Sequence, residues 1–313
     1  MRIGIVVDSA CDLPADFIER ENITILPVTV QIGQAILADV RNEQATMSFL
    51  TGDTAARAYS ADTTPFTVQE VHDLFLSKLV LDYDYVFCIT TTRSRSGIYD
   101  NAVQASYTIL NDYKPVRMAA GNNTPFSLRV IDSQNVFAAV GVLVVEAARL
   151  RAAGEAPPKI RSRLEHLALY TQGYMVPPDL HYMRNRLKKR GDRSVSFISA
   201  ALGTTLDIKP ILHCNRGETE PVAKVKGLST ATDKMFGFAA KRVKDGLMTP
   251  TMGISYGGEL EDLHKMAGYE NLRAVCAEHN VEVFESVMSL SGMVNVGKGA
   301  AVVGFAAESE KFS

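Results

Sequence analysis

Long apolar runs are scarce in this sequence. The stretch 136–145 is too short to span a bilayer and is interrupted by Gly141, and the first residues carry no basic segment followed by an apolar one. A cytoplasmic protein without a transmembrane segment is therefore expected. Charge of one sign is also lacking: the formal net charge is −2 over 313 residues, and 184–190 (RNRLKKR) is the only dense basic patch. Near-neutrality gives no electrostatic reason to bind a polyanion, so nucleic acid is not an expected partner. The four cysteines, Cys11, Cys88, Cys214 and Cys276, form no CxxC pair and have no histidine at metal-ligand spacing, which points to reduced thiols and no metal. Neither Gly-x-x-x-x-Gly-Lys-Ser/Thr nor Gly-x-Ser-x-Gly occurs, and none of the six histidines sits in a triad context. No catalytic residue is assigned on these grounds.

What is present is alternation. Strands are expected at 3–7, 24–30, 85–89 and 128–131, separated by helices from Pro14 and at 43–50, 68–80, 97–111 and 135–153. Strands separated by helical lengths of chain imply parallel pairing through right-handed crossovers. Pro157-Pro158, following Gly154, punctuate the chain, and a boundary there divides it into domains 1–155 and 156–313. The second part reads as helices at 159–169, 178–189, 230–244 and 259–267. Its strands are read at 170–176, 206–213, 221–226, 249–255, 281–285 and 300–305, with a hairpin turn at Asn215-Arg216-Gly217 implying a mixed or antiparallel sheet.

The first strand empties into Asp8-Ser9-Ala10-Cys11-Asp12-Leu13-Pro14, and later strand ends also open into hydroxyl-bearing loops. These are Ser60-Ala61-Asp62-Thr63-Thr64-Pro65, Thr90-Thr91-Thr92-Arg93-Ser94-Arg95-Ser96-Gly97, and Asp132-Ser133. Ligands of open α/β sheets sit at this edge, and hydroxyls beside helix N-termini suit a carboxylate or phosphate. The same residues are also the usual helix caps, so only their convergence argues for a site.

Five stretches, in order, resemble the DegV family of bacterial fatty-acid-binding proteins. They are the opening Asp-Ser-x-x-Asp-Leu-Pro, Thr63-Thr64-Pro65, Ser96-Gly97-Ile98-Tyr99-Asp100-Asn101-Ala102, Val130-Ile131-Asp132-Ser133 and Leu206-Asp207-Ile208-Lys209-Pro210-Ile211-Leu212. The resemblance implies a two-domain α/β fold: a three-layer α/β/α domain with a parallel sheet, then an α/β domain with a mixed sheet that closes a lipid cleft. It also implies a bound fatty acid such as palmitate or oleate, with its carboxylate between the domains. A separate fatty acid kinase subunit would phosphorylate that carboxylate, so the chain itself would be no enzyme and need no cofactor.

Carried over residue by residue, the resemblance assigns Thr63, Thr64, Ser96, Gly97 and Asn295 to the ligand. Asp8, Ser9, Asp62, Asp132, Ser133 and Lys298 are assigned to its surroundings, and Arg193 and Lys226 to the kinase-facing side. Several positions depart from the family, Lys226 among them, where the family has an arginine. Asp62, an acceptor-only carboxylate, falls on the family's ligand-binding threonine; Asn295 replaces a histidine; and Lys298 replaces a proline. The departures at Asp62 and Asn295 leave open a different amphiphilic carboxylate; a hydrolase-like use of the Ser/Thr cluster, with Asp8, Ser9 and Ser96, is a separate alternative that lacks the nucleophile elbow and a triad histidine. The basic run 184–190 is read as a solvated helix face or as a docking surface for an acidic partner.

Overall fold

The computed structural model describes residues 1–51, 61–189 and 207–312. Within them the first sheet has the order β2-β1-β6-β7, all parallel, with β1 Ile3–Asp8, β2 Thr24–Leu26, β6 Tyr85–Thr90 and β7 Ser127–Asp132. The central strands are apolar at successive positions because both faces are covered. Ile5, Val7, Phe87 and Ile89 pack on one side against Val140, Leu143 and Val144, while Val6, Val86 and Cys88 pack on the other against Val71, Phe75, Ile98 and Ile109. Helices on both faces make this half a three-layer α/β/α unit. All four cysteines are buried and free.

The sequence reading of one strand over 24–30 is corrected at Pro27. The chain leaves the first sheet after Leu26 and re-enters as β3, Val28–Ile32, the centre of a separate antiparallel sheet ordered β4-β3-β5, with β4 Ala35–Asp39 and β5 Asp62–Pro65. Proline donates no backbone hydrogen bond, so the ladder breaks there. Ser9 fills the corner: its hydroxyl donates to the Asp39 carbonyl at 2.6 Å and accepts from the Val28 N–H at 2.7 Å. The helix expected over 97–111 instead runs Ile98–Ala119, through Pro115. Pro115 lies on the exposed side, as does Asn111, whose carbonyl loses its helical partner, while buried Arg117 beyond it anchors the last turn to Tyr83, Asp84 and Thr124.

The second sheet has the order β10-β9-β8-β13-β11-β12, with β8 Thr171–Val176, β9 Ile208–Asn215, β10 Glu218–Lys226, β11 Thr251–Tyr256, β12 Glu282–Val287 and β13 Ala301–Ala306. Only β11 and β12 pair in parallel, so the sheet is mixed. The β9–β10 hairpin turns at Arg216 and Gly217, both with positive φ, as a two-residue reversal demands. No helix among the described residues is long and apolar enough to cross a membrane.

One helix joins the halves. Ala138–Ala152 is buried at every position from 138 to 148, because it lies between the two sheets. Gly173, Gly304 and Gly253 stand side by side on β8, β13 and β11 and form a trough for its first turn. A Cβ on Gly304 would lie 2.5 Å from Ala139 Cα, and one on Gly253 would lie 2.6 Å from the Ala138 carbonyl oxygen. On the opposite side a Cβ on Gly141 would approach the Asp12 carbonyl oxygen to 2.9 Å. The glycine that interrupts the apolar run thus permits close contact with the first half.

Candidate ligand-binding site

Where β5 meets the second half, three elements converge. Strand alternation turns Thr63 inward and leaves Asp62 and Thr64 exposed on the outer face. The Asp62 carboxylate is therefore directed away from the inward hydroxyl. The short helix Leu290–Val296, capped by the Ser289 hydroxyl, carries Asn295 in its last turn. Asn295 Nδ2 donates to the Ser291 carbonyl at 2.7 Å and to Thr63 Oγ1 at 3.4 Å, and its Oδ1 accepts from Arg186 at 3.3 Å.

Arg186 was not singled out by the sequence. It belongs to the basic run, yet only 2% of it is exposed. Leu180, Tyr182 and Met183 of the same helix, Leu180–Lys189, are also buried, and Arg186 follows Tyr182 and Met183 at helical spacing. That spacing was the available signal. Its guanidinium donates to the Ala61 carbonyl and to Asn295, and among the described residues its Nε has no hydrogen-bond partner. The basic run is thus corrected at this position: Arg186 points inward, whereas Lys188 is exposed.

Beneath this polar group lies an apolar cluster of Val30, Ile32, Ala61, Tyr182, Leu290 and Val294. The same two helices also supply Met183 and Met293 to a larger cluster with Phe137, Met175, Met288 and Val302. Buried apolar surface and a partly satisfied cation are therefore adjacent, the combination that an amphiphilic anion requires.

The other expected residues divide into neighbours and struts. Gly97 lies beside β5, its Cβ position 3.9 Å from Pro65 Cγ, and Asn101 staples the same helix to the Phe66 carbonyl at 2.7 Å. Ser96 accepts from the Ile98 N–H at 3.3 Å. The Ser96–Gly97 turn therefore lies against Pro65, two residues along β5 from Thr63, while Thr64 faces outward. Asp8 is a buried strut between β1 and β6, accepting from the Thr91 hydroxyl and the Ala10 N–H, both at 3.0 Å, and from the Thr91 N–H. Burial raises its pKa against the lowering effect of these bonds. Asp132 accepts from the Gln134 N–H at 2.8 Å, and Ser133 turns on Asn135. Burial again raises the Asp132 carboxyl. Lys298 is exposed between Gly297 and Gly299, and exposed Lys226 ends the edge strand β10. Arg193, Arg190, Ser60 and Leu206 lie outside the described residues.

The family model described as "Uncharacterised protein, DegV family" matches residues 2–308. The chain belongs to the DegV family. It is 60% identical over 313 residues to a DegV domain-containing protein of Xanthomonas axonopodis pv. citri, covering 100% of both chains. Among solved structures, a stearic acid-binding protein from Eubacterium ventriosum matches this DegV chain with a TM-score of 0.76 at 22% identity, over 98% of each chain. The Streptococcus pneumoniae Fatty Acid Kinase (Fak) B3 protein loaded with linoleic acid matches with a TM-score of 0.72 at 18% identity, over 98% of this chain and 99% of that one. These likenesses establish the DegV fold over 98% of the chain.

Proposed function

We propose that this DegV protein is a non-catalytic carrier that buries a long-chain fatty acid such as palmitate or oleate and holds its carboxylate between the two halves, residues 1–155 and 156–313. Thr63 and Asn295, with Arg186 as counter-charge, form the carboxylate mouth, and the Ser96–Gly97 turn and its helix N-terminus flank it. Thr64, Asp62 and Lys298 lie at the rim. The observation that carries the reading is Arg186: a buried guanidinium whose Nε has no partner among the described residues, beside a hydroxyl and an amide, directly above apolar side chains. Arginine keeps its charge at any physiological pH, so it compensates for the absence of a titratable histidine at position 295.

A C16 chain removes about fourteen methylenes from water at about 0.8 kcal/mol each, a gross gain near 11 kcal/mol before ordering costs. Affinity thus comes from the alkyl tail, and orientation from the few polar groups. In the reading proposed, the carrier acts in the cytoplasm and presents the carboxylate to a separate kinase, with Lys226 and Arg193 on the partner-facing side. That role is suggested by the likeness to a fatty acid kinase B protein. The test is mass spectrometry of organic extracts from the purified protein, followed by titration of stripped protein with oleate. Stoichiometric C14–C18 acid, or saturable oleate binding, is expected; no lipid by either route rejects the carrier.

A further inference from the structure

Asn295 and Thr63 come from opposite halves of the chain, so something must hold the helix Leu290–Val296 in register with β5. Besides the Ser289 cap, the start of that helix is held by side chains of the first half. Asp39 Oδ2, at the end of β4, accepts from the Ser291 N–H at 2.8 Å, and Asp12 Oδ1 accepts from the Ser289 N–H at 3.0 Å. Arg41 binds Asp12 Oδ1 at 2.8 Å and reaches the Leu13 and Val287 carbonyls, both at 3.1 Å. The backbone at three alternating positions, 287, 289 and 291, is thereby held by side chains from the other half. Asp39, Asp12 and Arg41 are all buried.

Two further features mark this junction as built. Arg41 holds a φ of +63°, a left-handed conformation that costs a non-glycine residue energy, and the Asp39 carboxylate stabilises it by accepting from the Arg41 N–H at 3.2 Å. The linkage is also closed geometrically. Asp39 and Thr63 belong to the same small sheet, on β4 and β5 flanking β3, while Ser291 and Asn295 lie one helical turn apart and are joined by the Asn295 side chain. The helix is therefore tied to one sheet at both ends, by Asp39 at the first turn and by Thr63 at the last.

We propose that Asp39 is a positioning residue for the carboxylate mouth: together with the Asp12–Arg41 pair it fixes the helix Leu290–Val296 so that Asn295 faces Thr63, and the mouth is assembled only while this contact is made. The proposal rests on the fatty-acid reading above. Asp39 itself touches no ligand; it acts through Ser291 and Asn295.

The experiment compares oleate with methyl oleate on stripped wild-type protein, Asp39→Ala and Asp39→Asn, with thermal unfolding of each recorded alongside. Methyl oleate offers the same tail without the charge, so it reports the apolar compartment alone. Asp39→Ala is expected to weaken oleate at least tenfold and methyl oleate less than twofold. Asp39→Asn, whose amide oxygen still accepts from the Ser291 N–H while its NH2 faces the Arg41 N–H, is expected to recover part of the loss. Unchanged oleate binding by Asp39→Ala, equal weakening of both lipids, or no recovery by Asp39→Asn overturns the proposal. Should Asp39→Ala fail to fold, Asp39→Ser, whose hydroxyl is too short to reach Ser291, is read by the same comparison. A wild-type protein that binds neither lipid rejects the carrier reading instead, so the two failures are distinct.

Discussion

Gly304 and Ala139 meet with no room for a side chain between them: a Cβ on Gly304 would lie 2.5 Å from both the Cα and the N of Ala139. Backbone stands on both sides of that contact, so relief requires the helix Ala138–Ala152 to move off the second sheet. Gly304→Ala is expected to destabilise the protein by about 3 kcal/mol, the upper part of the range for overpacking a close-packed interior. Urea unfolding monitored by circular dichroism measures it, and a loss below about 0.5 kcal/mol would show that the trough is loose.

Arg186 is expected to distinguish an acid from its ester. Arg186→Met keeps the apolar stem and removes the charge-assisted hydrogen bonds, which are worth about 1.5–3 kcal/mol to a charged partner. Oleate affinity should fall at least tenfold while methyl oleate affinity holds. Ser96→Ala, at the flank of the mouth, should weaken oleate by about 1–3 kcal/mol if the turn contributes a bond of the same kind. Calorimetric titration of the two variants with both lipids separates these contributions, and an unchanged oleate affinity in both would move the carboxylate elsewhere.

Arg117 is the largest fully buried side chain among the described residues and binds the Tyr83 carbonyl at 3.1 Å, Asp84 Oδ1 at 2.7 Å and Thr124 Oγ1 at 2.7 Å. Burial of Asp84 works to raise its pKa, but the bonds from Arg2 and Arg117 outweigh this and hold the carboxyl well below the usual range. Removing the guanidinium strands a buried carbonyl and part of a carboxylate charge. Arg117→Met is expected to cost about 3 kcal/mol, at the lower end for breaking a buried pair because Asp84 remains partly hydrated. The depressed pKa means that the stability supplied by Asp84 is present above the unfolded carboxyl pKa and disappears as pH falls, so Arg117→Met should also flatten the acid limb of the stability profile.

His72 provides a second pH signature. Burial disfavours its protonation, but hydrogen bonds with Asp73 at 3.2 Å and Asp112 at 3.1 Å outweigh burial and raise its pKa above 6.5. A raised folded-state pKa places the stabilisation fully below the unfolded value and removes it as pH rises through the folded one. Stability of the wild type should therefore decline above pH 6.5 by an amount that His72→Gln abolishes. A nuclear magnetic resonance titration of the His72 ring with a midpoint at or below 6.5 would contradict this.

The departures at Asp62 and Asn295 show how a residue string and a folded chain answer different questions. In the string, Asp62 occupies a ligand position and threatens repulsion. In the fold, β5 turns it outward with Thr64, and Thr63 alone faces Asn295. Asn295 looked like the loss of a basic partner, but a cation arrives from a helix more than a hundred residues earlier, on Arg186. The helix Leu290–Val296 leaves no legible signature in the sequence because seven residues carry too little periodicity to separate from a loop, and its first turn is stabilised from outside, by Asp39 and Asp12.

By itself the sequence determined the alternation of strands and helices, the parallel first sheet, the hairpin at Arg216-Gly217 and the family, since each rests on local patterning or on motifs contiguous in the chain. Tertiary structure alone decided that Pro27 divides a strand between two sheets, that three glycines on separate strands align into one trough, and that Arg186 turns inward. Those outcomes depend on which residues distant in sequence become neighbours, and periodicity within a window of a few turns carries no record of partners across the fold.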